Sequence, residues 1–331
     1  MKSESMSRRS FLGGAGVLAA GMAAAGMAGC APQASGNLSE TGEATAQAAE
    51  GAAEGVPSWL GQAPEIDEAE IVSELTTDLV IAGAGNGGMA AAAYAADKGL
   101  DFMVFEAAGD VSGTRNWFAA IDTNYDAEIG QTVDRGRLMG EIARYSAGSA
   151  DERLIKMVID ESNDMCEFVD SVLAQYGGNM VVQDFEIPGG MGGTPYYTPP
   201  FEHMCGTTSE DGLDRNHAFE AFINDKGHEV YYEHRLIKLT QDDAGRVTGA
   251  ILETPEGYVR VTANKGVMLA TGGYVNNAEM LEALSPITCQ SIVMTTSEPK
   301  DDGMGQKAAM WAGATRDAVS ATMIFDRGWV D

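Results

Sequence analysis

The sequence predicts an α/β protein with a Rossmann-like domain, and two observations support this prediction. The first is a strand–helix–strand pattern over residues 77–107, in which glycines follow the first strand at G-x-G-x-x-G spacing. The second is a series of short apolar runs over residues 228–274, separated by turn residues, which predicts successive strands. A chain of 331 residues that is 44% hydrophobic is long enough to bury a core of this kind.

The first elements are predicted from hydrophobic pattern and helix stop signals. Residues 78–82 are a short apolar run typical of a buried parallel strand, and residues 101–106 form a second such run. Between them, the alanine-rich residues 87–98 predict a helix that Gly99 ends. A G-x-G-x-x-G motif in this context indicates a dinucleotide site.

Each glycine of the motif has a physical role there. Gly83 allows the tight exit from the strand, Gly85 lets a diphosphate approach the backbone, and Gly88 lets the helix pack closely on the strand. Glu106, at the end of the second strand, is expected to accept hydrogen bonds from a ribose, and its charge disfavours a 2′-phosphate, which argues against NADP. A glycine-rich turn that binds nothing is the alternative.

The middle of the chain predicts a long helix and a long loop. Residues 149–152 (Ser-Ala-Asp-Glu) form a capping-box pattern, which opens an amphipathic helix reaching Tyr176 before a Gly-Gly pair. Residues 187–208 are rich in Gly, Pro and aromatic residues and predict a loop. His203 and Tyr197 are its candidates for reaching a substrate.

The N-terminus has the layout of an export signal. Residues 1–30 combine Arg8-Arg9 before Phe-Leu with a weakly apolar run, which predicts the twin-arginine route. Met-Ala-Gly before Cys30 is similar to a lipobox, so we expect a lipid anchor on Cys30; cleavage at another small-residue site is the alternative. The polar residues that follow predict a flexible linker over residues 31–75.

Charge and cysteine content exclude several classes of function. The formal net charge of −28 argues against nucleic acid as a partner. The four cysteines contain no C-x-x-C pair, so a zinc ribbon or an attached c-type haem is not expected. The four histidines show no paired metal-ligand spacing, and no metal site is predicted.

Later motifs carry a family resemblance. The glycine motif and Glu106 are followed by "GRVTGA" at residues 245–250, "LATGGY" at 269–274 and "DDGMGQKAAMWAGA" at 301–314. In this order they resemble the FAD-dependent fumarate reductase and succinate dehydrogenase flavoprotein family, in its soluble flavocytochrome-like and urocanate-reductase-like branch. The resemblance implies a glutathione-reductase-like FAD-binding domain over residues 76–275, with an insertion at about 141–225, and the start of a capping domain over 276–331.

The resemblance also implies which residues hold FAD. The family usually shows a Gly-Gly-Asn-Ser/Thr run and a Gly-Gly pair near the flavin, where this chain has residues 112–115 (Ser-Gly-Thr-Arg) and two alanines. This segment contains no histidine for a covalent link, so FAD is expected to be non-covalent. The implied cofactor-binding residues are Gly83, Ala84, Gly85, Gly88, Glu106, Ala107, Gly113, Thr114, Ala119, Ala120, Leu236, Ala270, Thr271, Gly272 and Asp302.

The implied reaction is hydride transfer from reduced flavin N5 to the C=C bond of an unsaturated carboxylic acid. The family's catalytic residues lie beyond the point where this chain ends, so the chain looks truncated and no catalytic residue is assigned. A ketosteroid-dehydrogenase-like desaturase and a catalytically incomplete FAD-binding fragment are the alternatives. The expected location is the outer face of the cytoplasmic membrane, with a cytochrome or quinol-linked protein as a possible electron donor.

Overall fold

The structure, a computed structural model, describes residues 56–316 apart from 112–115, 131, 147, 149, 183–201, 287–288 and 290–300. Within these residues the chain forms two β-sheets with helices packed against them. In chain order the elements are β1 (Ile71–Ala82), α1 (Asn86–Asp97), β2 (Phe102–Phe105), β3 (Trp117–Ala119), α2 (Asn124–Glu128), α3 (Arg135–Tyr145), α4 (Glu152–Leu173), β4 (Gly178–Val182), β5 (Glu202–Thr207), α5 (Arg215–Asp225), β6 (Val230–Tyr231), β7 (Arg235–Gln241), β8 (Val247–Thr254), β9 (Gly257–Leu269), α6 (Ala278–Leu284) and α7 (Met304–Trp311).

The larger sheet has the strand order β6-β2-β1-β9-β8-β7. Its first four strands run parallel, and β9, β8 and β7 continue it as an antiparallel meander. The smaller sheet, β3-β5-β4, is antiparallel. This arrangement confirms the predicted α/β, Rossmann-like fold, because a parallel βαβ unit lies at the centre of the larger sheet.

The first strand starts earlier than the sequence predicted. β1 begins at Ile71, which pairs with Tyr258 of β9. Upstream of β1, Trp59 is buried, and the Lys238 ammonium donates to the Pro64 carbonyl. The predicted linker of residues 31–75 is therefore wrong for residues 56–75, which are ordered against the larger sheet, while residues 31–55 lie outside the described residues.

Apolar side chains pack on both faces of the larger sheet. On one face, the alanines of α1 lie against Phe219 and Ile223 of α5 in a continuous buried cluster. On the other face, Ala308 of α7 packs against Leu252 and Val261 of the meander. Small residues on α1 allow the helix to approach the sheet closely, which positions the glycine turn at its start. None of the helices in the described ranges has the length and apolar character needed to cross a membrane.

The long helix predicted in the middle of the chain is confirmed, but its cap differs from the prediction. The N-cap of α4 is Asp151, whose carboxylate accepts a hydrogen bond from the Arg153 N–H at 2.9 Å. Hydrogen bonds from the Arg153 side chain and backbone lower the pKa of Asp151 to about 2. The capping-box pattern read from Ser149 is therefore wrong by two residues. The helix ends as predicted, in a short 3₁₀ turn closed by Gly177 in the left-handed region.

Candidate functional site

A cavity of about 570 Å³ opens at the carboxyl ends of β1, β2 and β9. Ligands of open α/β sheets bind at this edge, and small-molecule sites span roughly 300–1,000 Å³. The cavity is lined by Ala82, Gly83, Gly85, Asn86, Gly87, Phe105, Glu106, Ala107, Ala108, His234, Arg235, Leu236, Ala270, Thr271, Gly272, Asp301, Asp302 and Met304.

The glycine turn forms one wall of this cavity. Gly83 has a φ of +104°, and a Cβ atom there would lie 2.3 Å from the Ala270 carbonyl oxygen. A Cβ at Gly88 would lie 1.9 Å from the Gly83 carbonyl oxygen, so the start of α1 is in direct backbone contact with the end of β1. Gly85 is the N-cap of α1, and no side chain caps the helix there. The positive end of the α1 dipole is therefore presented to the cavity as backbone.

Glu106 connects the glycine turn to the loop after β2. Its side chain is buried, with 7% of its surface exposed. One carboxylate oxygen accepts from the Ala84 N–H at 2.7 Å, and the other accepts from the Ala108 N–H at 2.7 Å. Each carboxylate oxygen has a second lone pair, so Glu106 can still accept from a ligand hydroxyl. The sequence predicted the ligand contact but not this bridge between two loops.

The opposite wall comes from the end of β9 and from the turn before α7. Gly272 has a φ of +75°, and a Cβ atom there would lie 2.1 Å from a carboxylate oxygen of Asp301. The same carboxylate oxygen accepts from the Gly273 N–H at 3.2 Å. Gly303 N–H donates to the Gly273 carbonyl at 3.0 Å, which fixes the two segments together. Only glycine at position 272 allows this close approach.

Charged groups at the cavity are mostly acidic. Arg235, at the start of β7, forms an ion pair with Asp302, whose other carboxylate oxygen accepts from the Met304 N–H at 2.9 Å. His234 is held by its own contact to the Tyr232 carbonyl at 2.6 Å. Among the described lining residues Arg235 is the one arginine or lysine. An anionic group bound here would therefore rely mainly on backbone N–H groups.

Most of the predicted cofactor residues meet at this cavity. Gly83, Gly85, Glu106, Ala107, Leu236, Ala270, Thr271, Gly272 and Asp302 line it directly. Ala84 and Gly88 are buried immediately behind the lining. The sequence did not indicate three other lining residues, His234, Arg235 and Asp301. Arg235 and Asp301 directly precede the predicted residues Leu236 and Asp302, and His234 lies two positions before Leu236. Their polar side chains beside Leu236 and Asp302 were the available signal.

Four predicted residues are placed elsewhere or are not described. Ala119 is exposed at the end of β3, and Ala120 is buried in the core; neither is among the residues that line the cavity. Gly113 and Thr114 lie outside the described residues. Contact of any of the predicted residues with a flavin stays a prediction.

Of the two candidate substrate residues, the structure describes His203, and it is not among the residues that line this cavity. His203 is fully buried on β5, where its Nε2 atom lies 2.8 Å from the Thr123 hydroxyl. Its ring also packs against Phe118 and Tyr125. A histidine enclosed in this way belongs to the buried packing between β5, β3 and α2, so the expectation that His203 reaches a substrate finds no support. Tyr197 lies outside the described residues.

Comparison with known proteins identifies the kind of domain. A family profile described as an FAD binding domain matches residues 78–329, which is most of the chain. The chain is 29% identical over 299 residues to a digoxin reductase of Eggerthella lenta, with 84% of this chain and 48% of that protein covered. It is 26% identical over 278 residues to a fumarate reductase (cytochrome) of Shewanella frigidimarina, with 77% of this chain and 43% of that protein covered.

A solved structure has the same fold. The 3-ketosteroid-Δ4-(5α)-dehydrogenase of Rhodococcus jostii superposes with a TM-score of 0.60 at 21% identity, covering 73% of this chain and 55% of that one. The chain spans about half the length of these proteins. At 21% identity the superposition shows a shared fold, and no substrate is inferred from it.

Proposed function

Because the chain belongs to this family of FAD-binding domains, we propose that it binds FAD in the 570 Å³ cavity and serves an oxidoreductase that acts on a C=C bond. The observation that carries the proposal is the convergence of the glycine turn, Glu106 and the Ala270–Gly272 segment on one cavity. A Cβ atom at Gly83, Gly88 or Gly272 would collide with neighbouring protein atoms, so these glycines let the segments around the cavity pack closely together. A dinucleotide site requires a tight glycine turn of this kind between strand and helix.

Each part of the cavity suits one part of the cofactor. The backbone N–H groups at the start of α1 would hold the diphosphate, since this wall presents a helix N-terminus and few basic side chains. Glu106 would accept from the adenosine ribose through its remaining lone pairs. Leu236 would offer backbone contacts to the adenine, and Thr271 and Asp302 would lie toward the ribityl and flavin side. When bound, FAD supplies a centre that accepts and donates hydride.

We expect the cofactor to be held non-covalently. The first histidine of the chain is His203, which is buried on β5, so the segment directly after β2 has no imidazole for a covalent link. His234 does line the cavity, beside Leu236 at the proposed adenine end. A non-covalent cofactor is loaded before export, which agrees with the Arg8-Arg9 signal, because the twin-arginine route moves folded proteins.

The proposed substrate is an unsaturated carboxylic acid, whose C=C bond is reduced. Relatives named digoxin reductase and fumarate reductase support this proposal. A ketosteroid-dehydrogenase-like desaturation is the second candidate, because the Rhodococcus enzyme has the same fold. We further propose export to the outer face of the cytoplasmic membrane, a lipid anchor at Cys30, and electron supply from a cytochrome or a quinol-linked protein.

The direction of the reaction can be tested on the full-length protein. Purified protein would be assayed for oxidation of a reduced viologen dye by fumarate or acrylate, and separately for reduction of the higher-potential dye dichlorophenolindophenol by a 3-ketosteroid. We expect dye oxidation with an unsaturated acid and none with Gly85→Val, the variant expected to lose flavin. Dye reduction by the steroid would establish the second candidate, and activity in neither assay would favour a catalytically incomplete FAD-binding chain.

A further inference from the structure

A second group of ligating side chains lies at the start of α5, apart from the cavity lining. Asp110 follows β2, while His217 and Glu220 are three residues apart on α5 and therefore share one face of that helix. One ligating atom from each of the three side chains lies within 4.8 Å of the other two. The histidine and the two carboxylates thus come together from two elements that are distant in sequence.

The orientation of His217 shows that a positive charge is required between two of these groups. Its Nδ1 atom lies 2.5 Å from a carboxylate oxygen of Asp214, and a carboxylate only accepts, so Nδ1 carries the proton. Its Nε2 atom lies 3.2 Å from a carboxylate oxygen of Asp110. With the proton on Nδ1, Nε2 and that oxygen are both acceptors. Either a second proton or a metal ion has to lie between them.

We propose that Asp110, His217 and Glu220 bind one divalent transition-metal ion, with Zn²⁺ as the best fit. Imidazole and carboxylate together favour Zn²⁺ over Mg²⁺ or Ca²⁺, which take oxygen ligands alone. Zn–N and Zn–O bonds of about 2.0–2.2 Å in a tetrahedral site place ligand atoms roughly 3.3–3.6 Å apart. The 3.2 Å between His217 and Asp110 is already close to this separation.

The surroundings complete the arrangement of a metal site. Asp214 is placed to hold the imidazole of His217 as a carboxylate behind a metal-bound histidine does. The Tyr232 hydroxyl donates to Glu220 at 2.6 Å, which orients that carboxylate. Among the described residues, the ion pairs of Asp110 and Asp214 are with His217. Three carboxylates thus surround one imidazole, and a divalent ion would offset this excess of negative charge.

The ion would connect the loop after β2 to α5. Asp110 is four residues beyond Glu106, so the ion would hold the end of the loop that carries the cavity acid. The sequence could not indicate this site, because its ligands are separated by 107 residues and by one helical turn. A bound ion stabilises the folded chain in proportion to its concentration and affinity.

The test is a calorimetric titration of chelator-treated, full-length protein with ZnCl₂, followed by thermal unfolding with and without Zn²⁺. We expect one Zn²⁺ per chain that His217→Gln and Asp110→Asn each remove, together with the Zn²⁺-dependent rise in melting temperature. Asp110 is 70% exposed, so its substitution leaves the fold intact even if His217→Gln does not. Asp214→Asn retains an N-cap for α5 and is expected to weaken Zn²⁺ binding by about 10–100-fold.

The matched control is Glu161→Gln, which removes one exposed carboxylate on α4. It should leave the affinity and stoichiometry for Zn²⁺ unchanged. Absence of stoichiometric Zn²⁺ binding by the unmodified protein would overturn the proposal. So would wild-type affinity in both Asp110→Asn and His217→Gln, or equal weakening in Glu161→Gln, which would indicate a diffuse acidic surface.

Discussion

The substitution Glu106→Gln tests whether the Glu106 carboxylate holds the glycine turn and the loop after β2 together. The carboxylate is buried and accepts two backbone hydrogen bonds of 2.7 Å, from Ala84 and from Ala108. Glutamine keeps one oxygen acceptor and places an NH₂ group against the other N–H. Hydrogen bonds to charged groups contribute about 1.5–3 kcal/mol, and a buried donor without a partner costs about 1–3 kcal/mol. We therefore expect the free energy of unfolding to fall by about 2–4 kcal/mol.

The assay is urea unfolding of flavin-free protein, followed by titration with FAD. The urea midpoint should fall without a change in m-value, and the affinity for FAD should fall roughly fivefold, since one hydrogen bond is worth about 1 kcal/mol. Glu128→Gln is the control: it is exposed on α2 and should change stability by less than about 0.5 kcal/mol. If Glu106→Gln unfolds at the wild-type midpoint, the carboxylate does not join the two loops and our reasoning fails.

Three further results follow from the same geometry. Gly85→Val puts a branched side chain at the cavity wall and should abolish flavin binding. The control Gly266→Ala has open space around its new Cβ atom and should bind flavin normally. Yellow protein from Gly85→Val would reject our position for the diphosphate. Arg235→Gln removes a partly exposed ion pair, so the loss of stability on urea unfolding should stay below about 1 kcal/mol, and a larger loss would mean the pair is buried in solution. Burial raises the pKa of the Cys166 thiol to about 12. In native protein at pH 8, a thiol reagent should therefore label the exposed Cys289 and leave Cys166 unlabelled, as measured by site-resolved mass spectrometry. Early labelling of Cys166 would contradict the described core.

The sequence predicted secondary structure correctly where a segment's apolar pattern matches its burial in the fold. The βαβ unit was predicted because β1 ends in a fully buried run and α1 is alanine-rich with a glycine on each side. The first half of β1 was missed for a physical reason. Residues 71–77 pair with β9 alone and are largely exposed, so they have no apolar run to indicate a strand.

The site was predictable in its backbone and not in its side chains. The spacing of Gly83 and Gly88 predicted a tight turn and close packing of the helix on the strand. The short backbone contacts at both positions agree with this prediction. The ion pair of Arg235 with Asp302 joins residues 67 positions apart, and no local pattern records such a contact. His203 misled the prediction because a loop-like composition surrounds a residue that is buried on a strand.

We expect the cavity at the ends of β1, β2 and β9 to hold an adenine-containing flavin without a covalent bond. The most direct measurement is the absorbance spectrum of the purified full-length protein, combined with the mass of the ligand released when the protein is denatured. We expect a flavin spectrum and the release of one FAD per chain into the supernatant. Release of FMN, of a nicotinamide dinucleotide or of no ligand would contradict this expectation. So would a flavin that stays attached to the denatured chain.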